Sequence, residues 1–358
     1  MTIRDADTSD FRCFYEAARV VRLGLDPYDR VVWSEATMSD PARLPPCDPT
    51  FVYPLWTAAA MIPFSLPPEP PALALWEAMS LVLLIAAAAL IARAWSTPRI
   101  GPPLLVMVLW SQPAFSAIAN AQFGPVLFAA TSALAFALPA RPKVAVLAWV
   151  TLLLKPHVVA ATLLGTLIHR RLLPRALVVL AVITAASLLL DPRWPAEVLG
   201  ETVTQSRLAD PGLATFWGLA DAWGLSAGFA LAAAAASVAL IVVLAPRRRL
   251  LAPELIALLA PASLLIAPYA RPHDQIVLAV SWAATLACAE RAPRERRRAM
   301  VLGVAIVAVV LPWAVALGPI LGLPSGLGVF VSLATGALAA VSLPRGGVPA
   351  SAKGAPLG

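Results

Sequence analysis

The stretch ALALWEAMSLVLLIAAAALIARA, residues 72–94, carries one carboxylate (Glu77) and one guanidinium (Arg93) in a run otherwise suited to hydrocarbon. A bilayer core is about 30 Å thick and a helix rises 1.5 Å per residue, so about 20 apolar residues cross it. This run therefore reads as a membrane span. Comparable runs, bounded by charge or proline, recur at 100–118, 120–139, 174–190, 222–245, 251–268, 273–290, 300–318 and 324–343. Together they predict about nine spans. The apolar pieces 51–66, 144–154 and 157–169 are shorter and read as tilted or re-entrant helices held inside the bundle. The expected fold is an all-α polytopic membrane bundle.

Composition leads the same way, because 60% of the 358 residues are hydrophobic and 13% charged, with mean hydropathy +0.80. Soluble domains carry roughly 45–50% apolar and about 25% charged residues, so a soluble enzyme, a disordered chain and a disulfide scaffold are excluded. Cys13, Cys47 and Cys288 lie far apart, without a CxxC pair or a histidine at ligand spacing. They read as packing residues, and no metal or cofactor is expected. The net charge of +7 is read as membrane topology, with no nucleic-acid partner.

The short polar connections split by charge. Arg93 and Arg99, Arg141 and Lys143, Arg170, Arg171 and Arg175, Arg247 to Arg249, the run 291–298, and Arg345 with Lys353 hold 17 of the 27 basic residues. Lysine and arginine accumulate on the cytoplasmic side, so this set is assigned there. The alternate connections, with residues 1–50, the Lys155 region, the 191–221 loop and the turns at 268–273 and 318–324, then face outward. That alternation requires 144–169 to enter and leave from the cytoplasmic side. The expected division is an outer segment 1–50, a membrane domain 51–343 and a disordered cytoplasmic tail 344–358. Residues 1–50 are polar and precede any span, yet parity puts them outside, so a missing leading helix is expected.

Ionisable groups at membrane depth are costly and default to functional candidates. Most fall on the outer side: Asp10, Arg12, Tyr15 and Glu16; Asn120 and Gln122 at a helix junction; Lys155 and His157 at a hairpin tip; Arg271, His273 and Asp274 between late spans. Each has a plainer reading. Lys155 could snorkel to an interface, Arg271 to Asp274 could form a polar turn, Asp10 is one of nine acids in a solvated-looking segment, and the two amides could only join helices. Trp33, Tyr53, Trp56, Trp76, Trp194, Trp217, Trp223 and Trp313 read as an interfacial aromatic belt.

The run Asp10-Phe11-Arg12-Cys13-Phe14-Tyr15-Glu16-Ala17-Ala18, followed by Gly24-Leu25-Asp26-Pro27-Tyr28, resembles the first outer loop of glycosyltransferase family 87. Tyr53-Pro54, Asn120-Ala121-Gln122, Lys155-Pro156-His157 and Pro272-His273-Asp274 resemble, in order, later elements of the same family. Leu55 replaces a second proline, the amide order at 120–122 differs, and Arg271 replaces a serine. The resemblance implies the GT-C membrane fold and transfer of a mannosyl or arabinofuranosyl unit from a polyprenyl-phosphate sugar to an envelope glycan or glycolipid. The setting would be the outer face of a bacterial inner membrane. By the same resemblance Asp10 is the general base. Lys155, His157, Arg271 and His273 would bind the donor phosphate, and Arg12, Tyr15, Asn120, Gln122 and Asp274 the substrate. One base without a covalent intermediate implies inversion. The competing classes are a transporter or lipid flippase, for which no internal repeat is found, and a degenerate, non-catalytic paralogue.

Overall fold

The structure, a computed structural model, describes residues 10–37, 47, 51–207, 213–247, 250–322 and 326–344, with the side chains of 201–207 outside the described set. The tail beyond 344, and with it Arg345 and Lys353, lies outside the described residues, as do Arg248 and Arg249. Every regular element among those described is helical.

The N-terminal segment folds onto the bundle. In α1 (Phe11–Arg22), Phe11, Phe14, Tyr15 and Ala18 recur at helical spacing and are buried, while Arg22 stays exposed. A short α2 (Arg30–Thr37) and α3 (Leu55–Ala60) follow, and both α2 and α3 pack on α1.

Four helical segments are long and apolar enough to cross a membrane. They are α4 (Glu69–Ala94), α10 (Leu173–Leu190), α13 (Ala227–Leu244), and the 28-residue run Arg294–Leu321. That run joins α16 (Arg294–Ala305) through a π-helical turn to α17 (Leu311–Leu317). A fifth span results if α5 (Gly101–Trp110) and α6 (Gln112–Ala119) count as one, bent by 60°. The expected nine is thus met by four or five, and local breaks explain the difference. Ser111 accepts a hydrogen bond from the Ala114 amide as an N-cap, and Pro113 cannot continue the preceding helix. The remaining apolar helices are shorter: α7 (Gly124–Ala137), α8 (Pro142–Leu152), α14 (Ala252–Ile266) and α18 (Val329–Ser342). Such broken backbone is tolerated at membrane depth when protein surrounds it. In α15 (Ala279–Glu290), every residue from Ala279 to Ala289 is buried. On α10, by contrast, Leu177, Val178, Val182 and Leu189 are exposed, as suits a helix facing acyl chains. The segment read as re-entrant comprises α8, a 3-10 turn at Pro156–Val158 and α9 (Ala160–Thr166).

A further expectation is overturned. Cys13 and Cys47 are not separate packing residues but a disulfide, with Cα atoms 5.5 Å apart across 34 residues of sequence. Their spacing carries no signal because tertiary packing, not the interval in sequence, brings Cys47 to Cys13 on α1. Cys288 is a buried packing residue. Closing a loop of this length removes unfolded-state entropy equivalent to about 3–4 kcal/mol. Cys47→Ser is accordingly expected to lower the melting temperature in detergent, and reductant to lower that of the wild type but not of the variant. Equal melting temperatures for oxidised wild type and Cys47→Ser would refute the stabilising role.

Candidate active site

Asp10 sits at the N-terminus of α1, and its carboxylate makes no cap hydrogen bond to the helix. It turns instead toward Gln122, whose amide Nε2 donates to Asp10 Oδ2. The backbone that delivers Gln122 is unusual. As α6 ends, the Gln122 amide donates to the Ala117 carbonyl (2.8 Å) and the Ala121 amide to that of Ile118 (2.9 Å), with Ala121 at φ +49°. This pattern normally places glycine at the left-handed position, and an alanine there costs roughly 1–2 kcal/mol. The Trp76 indole compensates by donating to the Ala121 carbonyl at 3.0 Å.

Next comes Gly124 at the start of α7. A Cβ there would meet the His273 carbonyl and the Ile276 side chain at 2.9 Å, so glycine permits α7 to approach the 3-10 turn Pro272–Leu278. That turn carries the second half of the site. The Asp274 carboxylate is fully buried, accepts from the Arg271 amide at 2.9 Å and pairs with Lys155 Nζ at 2.6 Å. Lys155 is 1% exposed, on a tip whose carbonyls at 153 and 154 accept from Trp56 Nε1 (2.8 Å) and Thr57 Oγ1 (2.9 Å). Arg271 Nε donates to the Tyr269 hydroxyl at 2.7 Å. His273 is buried, and its Nε2 has no hydrogen-bond partner among the described residues.

These groups border one cavity of about 290 Å³. Asp10, Gln122, Lys155, Arg271 and His273 line it, together with Cys13, Phe14, Trp33, Phe51, Val52, Tyr53 and Tyr269. The other candidates do not line it. Arg12 is buried and donates to the Thr37 carbonyl, the Tyr15 hydroxyl donates to that of Pro67 (3.0 Å), and Asn120 Nδ2 to that of Ser116 (2.9 Å). His157 packs edge-on against Tyr269, with ring centroids 6.1 Å apart, and Asp274 lies beneath Lys155. The aromatic-belt reading also needs correction. Trp33 and Tyr53 belong to the cavity wall, Tyr53 packing on Phe14 of α1 (5.2 Å), and Trp76 is buried between Phe11 of α1 (6.0 Å) and Phe123 (5.3 Å). Tyr269 was missed; its sole sequence cue is closeness to Arg271.

A model of glycosyltransferase family 87 matches residues 51–268. The chain belongs to glycosyltransferase family 87. No curated protein and no solved structure matches it. Membership makes the chain a membrane glycosyltransferase, and its apolar helices fit a multi-pass member of that family. The match includes Gln122 and Lys155, ends just before Arg271 and His273, and begins after Asp10. For a glycosyltransferase the cavity is chemically apt: a carboxylate can accept a hydroxyl proton while cations hold a departing anion.

One further acidic group lies apart from the cavity. Asp26, Asp191 and Glu197 bring their ligand atoms within 4.8 Å of one another, the one such grouping with metal-ligand spacing among the described residues. Burial raises the Asp26 and Glu197 carboxyls above their ordinary values, and repulsion within the cluster raises both further. A carboxyl raised in the fold binds more protons there than in the unfolded chain, so stability falls as pH rises from the unfolded value through the folded one. Glu197→Gln is expected to raise the melting temperature at pH 7 and to lose that advantage near pH 4. A variant less stable than wild type at pH 7 would contradict the repulsive reading.

Proposed function

We propose that this family 87 member transfers a mannosyl or arabinofuranosyl unit from a polyprenyl-phosphate sugar to an envelope glycan or glycolipid at the outer face of the membrane. The observation that carries this reading is a single cavity sharing one carboxylate, Asp10, with Lys155, Arg271 and His273. Asp10 takes the proton of the acceptor hydroxyl as its oxygen forms a bond to the anomeric carbon. The bond from that carbon to the phosphate oxygen breaks, and the electron pair leaves with the polyprenyl phosphate. Attack and departure on opposite faces invert the anomeric configuration. Phosphate leaves without protonation, so Lys155 and Arg271 replace a general acid, and preorganised charge of this kind is worth several kcal/mol in a site that excludes water. Trp33, Phe51 and Tyr53 supply apolar ring faces for the sugar.

The disulfide supports the outward assignment, since such bonds persist in oxidising compartments and Cys13 is itself a cavity residue. A lipid-linked donor follows from that side, because nucleotide sugars are cytoplasmic. The test uses membranes expressing the chain, supplied with radiolabelled polyprenyl-phosphate mannose or polyprenyl-phosphate arabinofuranose. Label is expected in a glycan or glycolipid fraction. Wild-type protein that is folded and transfers neither sugar would sink the donor assignment.

A further inference from the structure

We infer that Gln122 is a positioning residue for Asp10, aimed by a left-handed turn at Ala121 that Trp76 locks. The inference rests on the reading of Asp10 as the base. An ionised carboxylate only accepts hydrogen bonds, so the contact fixes which end of the Gln122 amide faces it: Nε2 toward Asp10 Oδ2. Gln122 is 3% exposed, and its Oε1 has no partner among the described residues, so Asp10 alone orients the amide.

The surroundings are built to keep that aim. Residue 122 follows directly on the positive-φ position, where the Trp76 indole grips the Ala121 carbonyl. Phe11 lies against Trp76 (6.0 Å) and Phe14 against Phe123 (4.6 Å), so neighbours of Asp10 pack on neighbours of Gln122. A strained conformation maintained next to a reacting group is where such a device is expected. Without Gln122 the carboxylate keeps its charge but loses one of the contacts that aim it, and displacement of a reacting group by about 1 Å can cost 10²-fold in rate.

The test is a kinetic cycle on the full chain in membranes, with polyprenyl-phosphate mannose and polyprenyl-phosphate arabinofuranose as donors. Gln122→Ala is expected to lower kcat about 10–100-fold with the donor KM changed less than about two-fold. Because it acts through Asp10, the double variant Asp10→Asn/Gln122→Ala should be no slower than Asp10→Asn alone. A raised KM with unchanged kcat, or losses that multiply in the double variant, would overturn the inference while leaving Asp10 as the base. An Asp10→Asn variant with undiminished transfer would instead remove the reading on which it rests. A second arm needs no activity. In folded Gln122→Lys protein, a zero-length carbodiimide should couple position 122 to Asp10, seen as a cross-linked peptide by mass spectrometry and lost in Asp10→Asn/Gln122→Lys. Absence of that peptide would overturn the inference, whatever sugar the enzyme transfers.

Discussion

Asp10→Asn is expected to lower the turnover of sugar transfer by about 10²–10⁴-fold, the usual range for removing a general base. Asparagine is nearly isosteric, keeps an oxygen to accept from Gln122 Nε2, and leaves α1 uncapped as before, since the native carboxylate makes no cap hydrogen bond. What is lost is the negative charge proposed to receive the proton, so the deficit should fall on kcat rather than on donor KM. The comparison is single-donor kinetics in membranes, with the disulfide state and melting temperature of both proteins recorded. Transfer by Asp10→Asn within a few-fold of wild type would move the base elsewhere in the cavity.

Lys155→Met is expected to cost stability as well as activity. The Lys155 and Asp274 side chains are 1% and 0% exposed and meet at 2.6 Å, so methionine leaves a buried carboxylate without its charge partner. Removing one member of a buried pair typically costs about 3–5 kcal/mol, whereas replacing both by groups of similar volume is often neutral. Lys155→Met should thus melt well below wild type, and Lys155→Met/Asp274→Asn should recover most of that loss. Sugar transfer should stay low in both, because the cation proposed to face the leaving phosphate is absent from each. The contrast separates the two roles of Lys155. A double variant that is stable and fully active would show that its charge serves only the fold, and a Lys155→Met protein as stable as wild type would deny the burial of the pair.

Helix and membrane were legible in the residues because both follow from local rules. Runs such as 72–94 cannot be soluble at that length and apolarity, and the family resemblance at 51–55, 120–123 and 154–157 lies within the span that the family model matches. Span number was not legible to the same degree. Hydropathy averages over a window, and neither Ser111 nor the left-handed Ala121 disturbs that average, yet each breaks a helix.

The candidate site divides the same way. Residue type and rarity at membrane depth single out Lys155 and Arg271 without any coordinates, since an ionisable group there must have a reason. Nothing in their positions shows that Lys155 reaches Asp274, that Gln122 touches Asp10, or that Cys13 finds Cys47. Those contacts join residues tens to more than a hundred positions apart, and only chain reversal brings them together. By itself the sequence determined an all-helical membrane chain, its family and the pool of polar residues available for chemistry, because these depend on composition and short-range pattern. The tertiary structure alone decided which of them share a cavity: it turned Arg12, Tyr15 and Asn120 to backbone carbonyls and brought Trp33, Tyr53 and Tyr269 to the wall, because side-chain direction is set by packing between distant elements.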